Sequence, residues 1–486
     1  MRKKLLLNTI TSLGYQIIYV IYGLIFPRLI LQAYGSQVNG LVSSVTQFLS
    51  VMALSEFGMT AVVQSSLYKP VAEHDTLSIS KILTSSDKFF RKVAGIFIIY
   101  VIALCFVYPF FLQTTFSKVF VIQIIVILSI NTLAEYIFGI SNRQLMTADQ
   151  HIFWWNLSRM AALILSTFLA VFLINKKASI QIVKLVTAIS FLLNPMISYI
   201  YIKIKYPNVN KHEEYDLEPI KQKWNGVAQH ISTYVYTSTD VIVLSLFSTL
   251  ENVSIYATYY MILNGLSRLC TLFDGAIKPV LGKFWAEKDY DNFNRTFFMY
   301  ECGMHQLSIF VFGCTSVLIV PFIEVYTRGI HDANYNVPAF AFLATLASMF
   351  QIMKNAYHTA VQSIGAYKET QRYYVGTAVV NVVISVILVK PLGMVGVATG
   401  TLTAVVYQIA VLVSYLYRNI FKQSIRRLAR LCLVDGIVCV LAYAVCEVIC
   451  LRILHYCSWF GLMIGCVLIW GTVVLVVNVI FNWKRV

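Results

Sequence analysis

Of 486 residues, 58% are hydrophobic and only 12% charged, and the mean hydropathy is +0.71. Such a composition excludes both an ordinary water-soluble domain and a disordered chain, and places the sequence among integral membrane proteins. The net charge of +16 raises nucleic acid as a partner, but the basic residues are arranged for a bilayer instead.

A membrane span needs about 20 apolar residues, and about fourteen segments meet that criterion. Their cores are 8–32, 40–67, 93–112, 119–139, 153–174, 180–202, 226–248, 253–277, 297–321, 337–362, 373–390, 393–417, 431–451 and 458–481. With the amino terminus in the cytoplasm, about 27 Lys and Arg residues fall on cytoplasmic loops and about 7 on outer ones. That asymmetry predicts both termini in the cytoplasm. It also assigns the basic loops to topology and lipid headgroups rather than to nucleic acid. The opening Met1-Arg2-Lys3-Lys4 resembles a signal peptide, but its apolar run is too long and lacks a small-residue cleavage site, so it reads as the first span.

The first segment carries Asn8, Ser12, Tyr15, Tyr19 and Tyr22 on one face and is expected to end around Pro27-Arg28 and Tyr34-Gly35. In the second, Ser43, Gln47, Ser50, Glu56, Thr60 and Gln64 recur at mostly three- or four-residue steps, a polar stripe along one helical face. A stripe holding a carboxylate is costly against lipid, so it predicts a helix lining a wet cavity. Lys69 and Pro70 are expected to stop this helix in water. Glu135 is embedded in the fourth segment. The fifth opens with Trp154 and Trp155, an interfacial signal, and carries Arg159 just inside.

The run from Lys203 to Lys223 is the most polar in the chain and reads as a linker between halves. Beyond it, Asn225, Gln229, Ser232, Tyr236 and Asp240 share a face of the seventh segment. Tyr260, Asn264, Arg268, Thr271, Asp274 and Lys278 mark the eighth, and Gln351, Lys354, His358 and Gln362 the tenth. The ten cysteines sit in apolar segments without CxxC or Cys/His zinc spacing and read as small core hydrophobes.

The halves repeat weakly. Ala72-Glu73-His74-Asp75 matches Ala286-Glu287-Lys288-Asp289, Pro109-Phe110 matches Pro321-Phe322, and Gln144 to Ala148 matches Gln362 to Ala366, in order, at a separation of about 212–218 residues. Six spans separate equivalent points, which predicts parallel repeats related by an axis along the membrane normal. The expected fold is all-α and polytopic: two pseudo-symmetric six-helix lobes, residues 1–210 and 211–427, plus two added helices in 428–486. Polar faces on matched helices predict a cavity that the lobes expose alternately to each side.

The stretch from Glu56 to Asp75, with its Leu67-Tyr68-Lys69-Pro70 loop, resembles the polysaccharide flippases of the multidrug/oligosaccharidyl-lipid/polysaccharide exporter superfamily, and the likeness extends to chain length and the 6+6+2 plan. The resemblance implies a non-enzymatic activity: moving undecaprenyl-diphosphate-linked oligosaccharide from the inner to the outer leaflet of the bacterial cytoplasmic membrane. Lipid-linked oligosaccharide and membrane lipids are then partners, with a polysaccharide polymerase and glycosyltransferases as further ones. In related precursor flippases, arginines of helices 1, 2 and 8 line the cavity. Arg28 and Arg268 stand in such places here, while the second segment offers Glu56 and no arginine.

The candidate cavity residues are Arg28, Gln47, Glu56, Gln64, Gln229, Asp240, Asn264, Arg268 and Lys354. Glu56, Asp240 and Asp274 are candidates for coupling to H+ or Na+, or for pairing with Arg268 and Lys278; no metal or other cofactor is expected. A multidrug antiporter of the same superfamily requires a cavity acidic overall, and Arg28, Arg268 and Lys354 offset the acids here. A membrane-embedded polymerase or glycosyltransferase requires a large outer catalytic loop. The longest outer loop, Glu324 to Asn336, is short, and no phosphate-cradling glycine motif or Ser/His/Asp constellation is present.

Overall fold

The computed structural model describes residues 2–56, 59–112, 114–210, 227–448 and 456–482. The chain folds as two compact units, Met1–Ile231 and Ser232–Val486. Most of the expected linker, 211–226, lies outside the described residues.

Unit 1 contains α1 (Arg2–Ser50), a 3-10 segment (Val51–Glu56), α2 (Met59–Ala72), α3 (Thr76–Phe111), α4 (Lys118–Ala134), a π segment (Glu135–Gly139), α5 (Ile140–Ala148), α6 (Ile152–Asn175), α7 (Ile180–Phe191) and α8 (Leu193–Lys205). The helix α9 (Val227–Phe247) carries the chain into unit 2. There follow α10 (Leu250–Cys270), a 3-10 turn (Thr271–Phe273), α11 (Asp274–Ala286), α12 (Tyr290–Tyr326), α13 (Pro338–Ser363), α14 (Tyr367–Leu392), α15 (Met394–Tyr415), a π segment (Leu416–Phe421), α16 (Arg426–Val448) and α17 (Tyr456–Asn482). No strand occurs among the described residues. Among the described residues, all fourteen apolar segments of the sequence are helical, and the protein is a multi-pass membrane protein.

Ten of the helices are long and apolar enough to cross a bilayer, among the described residues. The eighth and tenth segments, α10–α11 and α13, fall short of that standard, and the second gains no span of its own. These are segments whose polar stripes lower their hydropathy. Elsewhere large apolar side chains point outward, such as Ile99, Phe106 and Phe110 on α3 and Phe168 on α6, as expected of a surface solvated by hydrocarbon.

Two expectations for the first helices need correction. α1 does not end at Pro27; it runs through it and bends at Gly35, whose φ of 83° only glycine adopts freely. Nor does Pro70 stop α2. The helix continues to Ala72, and the chain turns at His74, with φ 56°. Proline removes only its own bond to the preceding turn, and the helix closes two residues beyond it.

The internal repeat is visible as backbone geometry. Glu73, His74 and Asp75 donate their N–H groups to Lys69, Val71 and Pro70; Glu287, Lys288 and Asp289 donate to Lys283, Trp285 and Phe284. Both are Schellman-type helix ends, with His74 and Lys288 at left-handed φ of 56° and 58°. Asp75 and Asp289 then cap α3 and α12, helices of 36 and 37 residues. Hydrogen bonds from Ser78 and from Asn292 hold the two carboxyls below their ordinary range.

The third sequence match shifts by three residues. The turn at Asp149-Gln150-His151 has the same bonding as that at Ile364-Gly365-Ala366, with Gln150 and Gly365 at positive φ. Thr147 rather than Gln144 is thus the counterpart of Gln362.

In unit 2, α14 and α15 pack as a close antiparallel pair. A Cβ on Gly396 would meet the Leu388 carbonyl oxygen at 2.2 Å, and one on Gly400 the Ser385 Oγ at 2.3 Å. This Gly-x-x-x-Gly face lets two backbones approach within a bilayer, where burial in lipid supplies no drive of its own. An aromatic core of Phe293, Phe297, Tyr357, Tyr417 and Phe421 joins α12, α13 and the second π segment. The added helices α16 and α17 pack on α12 through Trp470, Cys446 and Cys466.

Candidate functional site

Unit 1 holds a cavity of about 430 Å³ within its own helices. Two departures from α geometry build it. The 3-10 segment Val51–Glu56 interrupts the second span and leaves Glu56 at its end. The π segment Glu135–Gly139 interrupts the fourth and presents Glu135 and Tyr136. Glu56 accepts hydrogen bonds from Thr60 Oγ1 at 3.2 Å and from the Tyr136 hydroxyl at 3.3 Å. Glu135 lies 3.8 Å from the Arg159 guanidinium, which sits over the Tyr15 ring at 5.4 Å. Arg143 stacks 5.7 Å from Trp155 and is in electrostatic reach of both carboxylates. Lys184 of α7 enters the same cavity from the other side. It is only 8% exposed, and its ammonium lies 4.6 Å from the Phe26 ring centre.

Unit 2 holds its charge differently. Asp240 on α9, 4% exposed, accepts from the Tyr256 hydroxyl at 2.7 Å and Thr401 Oγ1 at 2.6 Å. Asn381 Nδ2 adds a longer bond of 3.4 Å. Four helices, α9, α10, α14 and α15, thus converge on one carboxylate, and the Gly400 contact draws the last two together at that level. Among the described residues its hydrogen-bond partners are all neutral, and no ion pair joins it to Arg268 or Lys278. Asn381 Oδ1 is buried with no hydrogen-bond partner.

Residues 86–285 match the family model described as "Polysaccharide biosynthesis protein". Among solved structures, the chain is similar to the lipid II flippase MurJ in its inward closed conformation, at 17% identity and a TM-score of 0.67, covering 99% of each chain. It is also similar to an inward-facing multidrug resistance MATE transporter of the MOP superfamily, at 13% identity and a TM-score of 0.60, over 83% of this chain and 96% of that one. A eukaryotic MATE transporter matches at 12% identity and a TM-score of 0.56, over 85% and 95%. No curated protein matches the chain in sequence. The chain shares the fold of these flippase and MATE transporter structures.

Within this fold, the sequence-derived site residues divide into groups. Glu56 lines the unit 1 cavity. Gln47 and Gln64, on the same stripe, are spent on local bonds to Ser50 at 3.1 Å and the Tyr68 hydroxyl at 2.7 Å. The 3-10 segment breaks the stripe, so it is not one continuous helical face. Arg28 is half-buried on α1, and Asn264 and Arg268 are exposed on α10. The side chain of Gln229 lies outside those described.

Lys354 is buried on α13, within electrostatic reach of Asp274, which accepts from the Tyr300 hydroxyl at 2.5 Å. Lys278 donates to Gln362 at 2.8 Å. Gln362 in turn contacts His358, which lies 2.5 Å from the Tyr374 hydroxyl. The stripes of the eighth and tenth segments therefore meet each other within unit 2.

Sequence reasoning passed over Lys184, Tyr136, Asn381 and Thr401. A signal existed for the lysine: with Arg28, Arg159, Arg268, Lys354 and Lys390 it is one of the six cations that fall within the apolar segments. It also passed over a buried network joining the added helices to α12, where His305 Nδ1 lies 2.7 Å from Asp435 Oδ2 and Glu301 accepts from Tyr417.

Proposed function

We propose that the protein moves an undecaprenyl-diphosphate-linked oligosaccharide from the cytoplasmic to the outer leaflet of the bacterial cytoplasmic membrane by alternating access, with both termini in the cytoplasm. The observation that carries this reading is the unit 1 cavity. Charged and hydroxyl-bearing side chains line a wet space inside membrane-spanning helices, at a cost a purely structural bundle has no reason to bear. The match of residues 86–285 to a polysaccharide biosynthesis family supports a saccharide cargo. The cations Arg143, Arg159 and Lys184 of unit 1 favour an anionic substrate over the organic cations of an antiporter. Polymerase and glycosyltransferases acting on the same lipid-linked glycan are the expected partners.

The coupling ion in this reading binds at Asp240. Its neighbours Tyr256, Thr401 and Asn381 each carry an oxygen atom able to ligate, which suits a hard cation or a proton. The orphaned Asn381 Oδ1 adds a further acceptor once the amide flips. A cation there would neutralise the buried carboxylate and hold α9, α10, α14 and α15 in one arrangement.

The test is leaflet transfer of fluorescent undecaprenyl-diphosphate oligosaccharide in proteoliposomes, with and without Na+ or H+ gradients. Gradient-dependent transfer supports the reading. Transport of organic cations without transfer of the lipid-linked glycan would replace it with the antiporter.

A further inference from the structure

Lys184 is the only charged group lining the unit 1 cavity that forms no ion pair or hydrogen bond among the described residues. Glu135 has Arg159 at 3.8 Å, and Glu56 has two hydroxyl donors and Arg143 in reach. Lys184 has the ring of Phe26 and the cavity. A cation more than nine-tenths buried without a counter-charge is costly in a low-dielectric surround. A ligand that brings one negative oxygen to Nζ removes that cost.

The rest of the lining says what accompanies the negative charge. Asn131 lines the cavity, and its Oδ1 is buried without a hydrogen-bond partner among the described residues. Glu56 lines the same cavity and keeps acceptor capacity beyond its two bonds, so both side chains can accept from further hydroxyl donors. Tyr22, Tyr136 and Phe191 supply flat apolar faces. Two carboxylates already share the space, which disfavours a phosphate monoester of about −1.5 to −2 charge and favours a singly charged carboxylate. The volume of about 430 Å³ falls within the range of about 300–1,000 Å³ for small-ligand sites. That is room for a sugar ring, not for a whole oligosaccharide.

We propose that this cavity is a subsite for one acidic sugar of the cargo, its carboxylate on Lys184 Nζ, its hydroxyls on Glu56 and Asn131, and its ring against Tyr22 and Tyr136. The inference rests on a saccharide being the cargo, and it adds that the saccharide carries a uronic acid. Recognition is then residue by residue: the ammonium reads the acid, and the carboxylate and amide read the hydroxyls.

The experiment measures binding of free glucuronate, glucose and inorganic phosphate to the full-length protein in nanodiscs, by calorimetry. Wild type is expected to bind glucuronate saturably and at least tenfold more tightly than either glucose or phosphate. Lys184→Gln is expected to lose at least tenfold in glucuronate affinity, and Lys184→Arg to recover part of it. Glucose or phosphate binding as tightly as glucuronate, or no glucuronate binding at all, overturns the proposal on wild-type protein alone, whether or not a variant folds. Unchanged glucuronate affinity in a monodisperse Lys184→Gln protein overturns it as well. Leaflet transfer of a lipid-linked glycan in the same preparation separates the two readings. Transfer without glucuronate binding removes the subsite and leaves the flippase; glucuronate binding without transfer does the reverse.

Discussion

The two units handle buried charge in opposite ways. Unit 1 gathers both signs around an open cavity and leaves one of them, Lys184, to be completed by something that enters. Unit 2 encloses a single carboxylate, Asp240, among hydroxyls and an amide contributed by separate helices, with no cation bonded to it. The first arrangement suits a ligand that comes and goes through water. The second suits a small ion or proton whose presence changes how four helices fit together. In the proposed flippase reading, the first holds cargo and the second the coupling ion.

The largest expected effect comes from breaking the enclosed node. Asp240→Leu leaves Tyr256, Asn381 and Thr401 without their shared acceptor, at about 1–3 kcal/mol for each buried group left unsatisfied, and is expected to cut the yield of folded protein sharply. Asp240→Asn keeps the shape and removes the charge. It is expected to fold, transport at least tenfold more slowly and lose any Na+- or H+-dependent shift in melting temperature. A variant that keeps its ion-dependent shift would remove Asp240 from coupling.

Next in size is Gly400→Val. The added methyl groups fall where Ser385 Oγ lies 2.3 Å from an ideal Cβ, so α14 and α15 must part. Overpacking typically costs about 1–3 kcal/mol, readable as a lower melting temperature. The same variant is expected to weaken ion dependence while leaving sugar binding in unit 1 unchanged, which sharpens the contrast between the units.

A smaller effect is expected at the turn between α5 and α6 in unit 1. Asp149, between two spans, accepts from Lys205 and from the Tyr206 hydroxyl at 2.6 Å, with Lys4 at 3.8 Å. Burial raises its pKa, but Lys205 and Tyr206 outweigh that and hold it below the ordinary 3.8. The stability it contributes is present above that value and lost as pH falls through the lower folded-state one. His151 beside it is pushed below 6.5, by burial first and by Lys205, against the pull of Asp149. Its unfolded form therefore takes up a proton that the folded form refuses, and stability is lost as pH falls below about 6.5. Both groups act in the same direction. Melting temperature is expected to drop on acidification from about pH 7 to 5, and His151→Gln is expected to flatten that part of the profile.

The smallest effect tests the repeat rather than the sites. His74 and Lys288 occupy left-handed conformations at matched turns. Glycine at either position is expected to stabilise by about 0.5 kcal/mol, because it adopts that φ without strain. Similar shifts in both units would show that the turns are energetically as well as geometrically equivalent.

The sequence carried the membrane class, the fourteen apolar segments, the Asp75 and Asp289 repeat and the placing of Glu56, Asp240 and Lys354 as charges within those segments. Each is a property of hydropathy, periodicity or charge within one segment, where neighbours along the chain are neighbours in space. It did not carry the 3-10 and π segments that aim Glu56 and Glu135, the three-residue shift at Thr147, or the partners of Asp240. Those depend on which face of one helix meets which face of another. Tyr256, Asn381 and Thr401 are separated from Asp240 by 16 to 161 positions, and no local pattern distinguishes them from other hydroxyl- or amide-bearing residues on the same helices. Only the packing, where glycines let α14 and α15 close on each other, decides that these four side chains share one site.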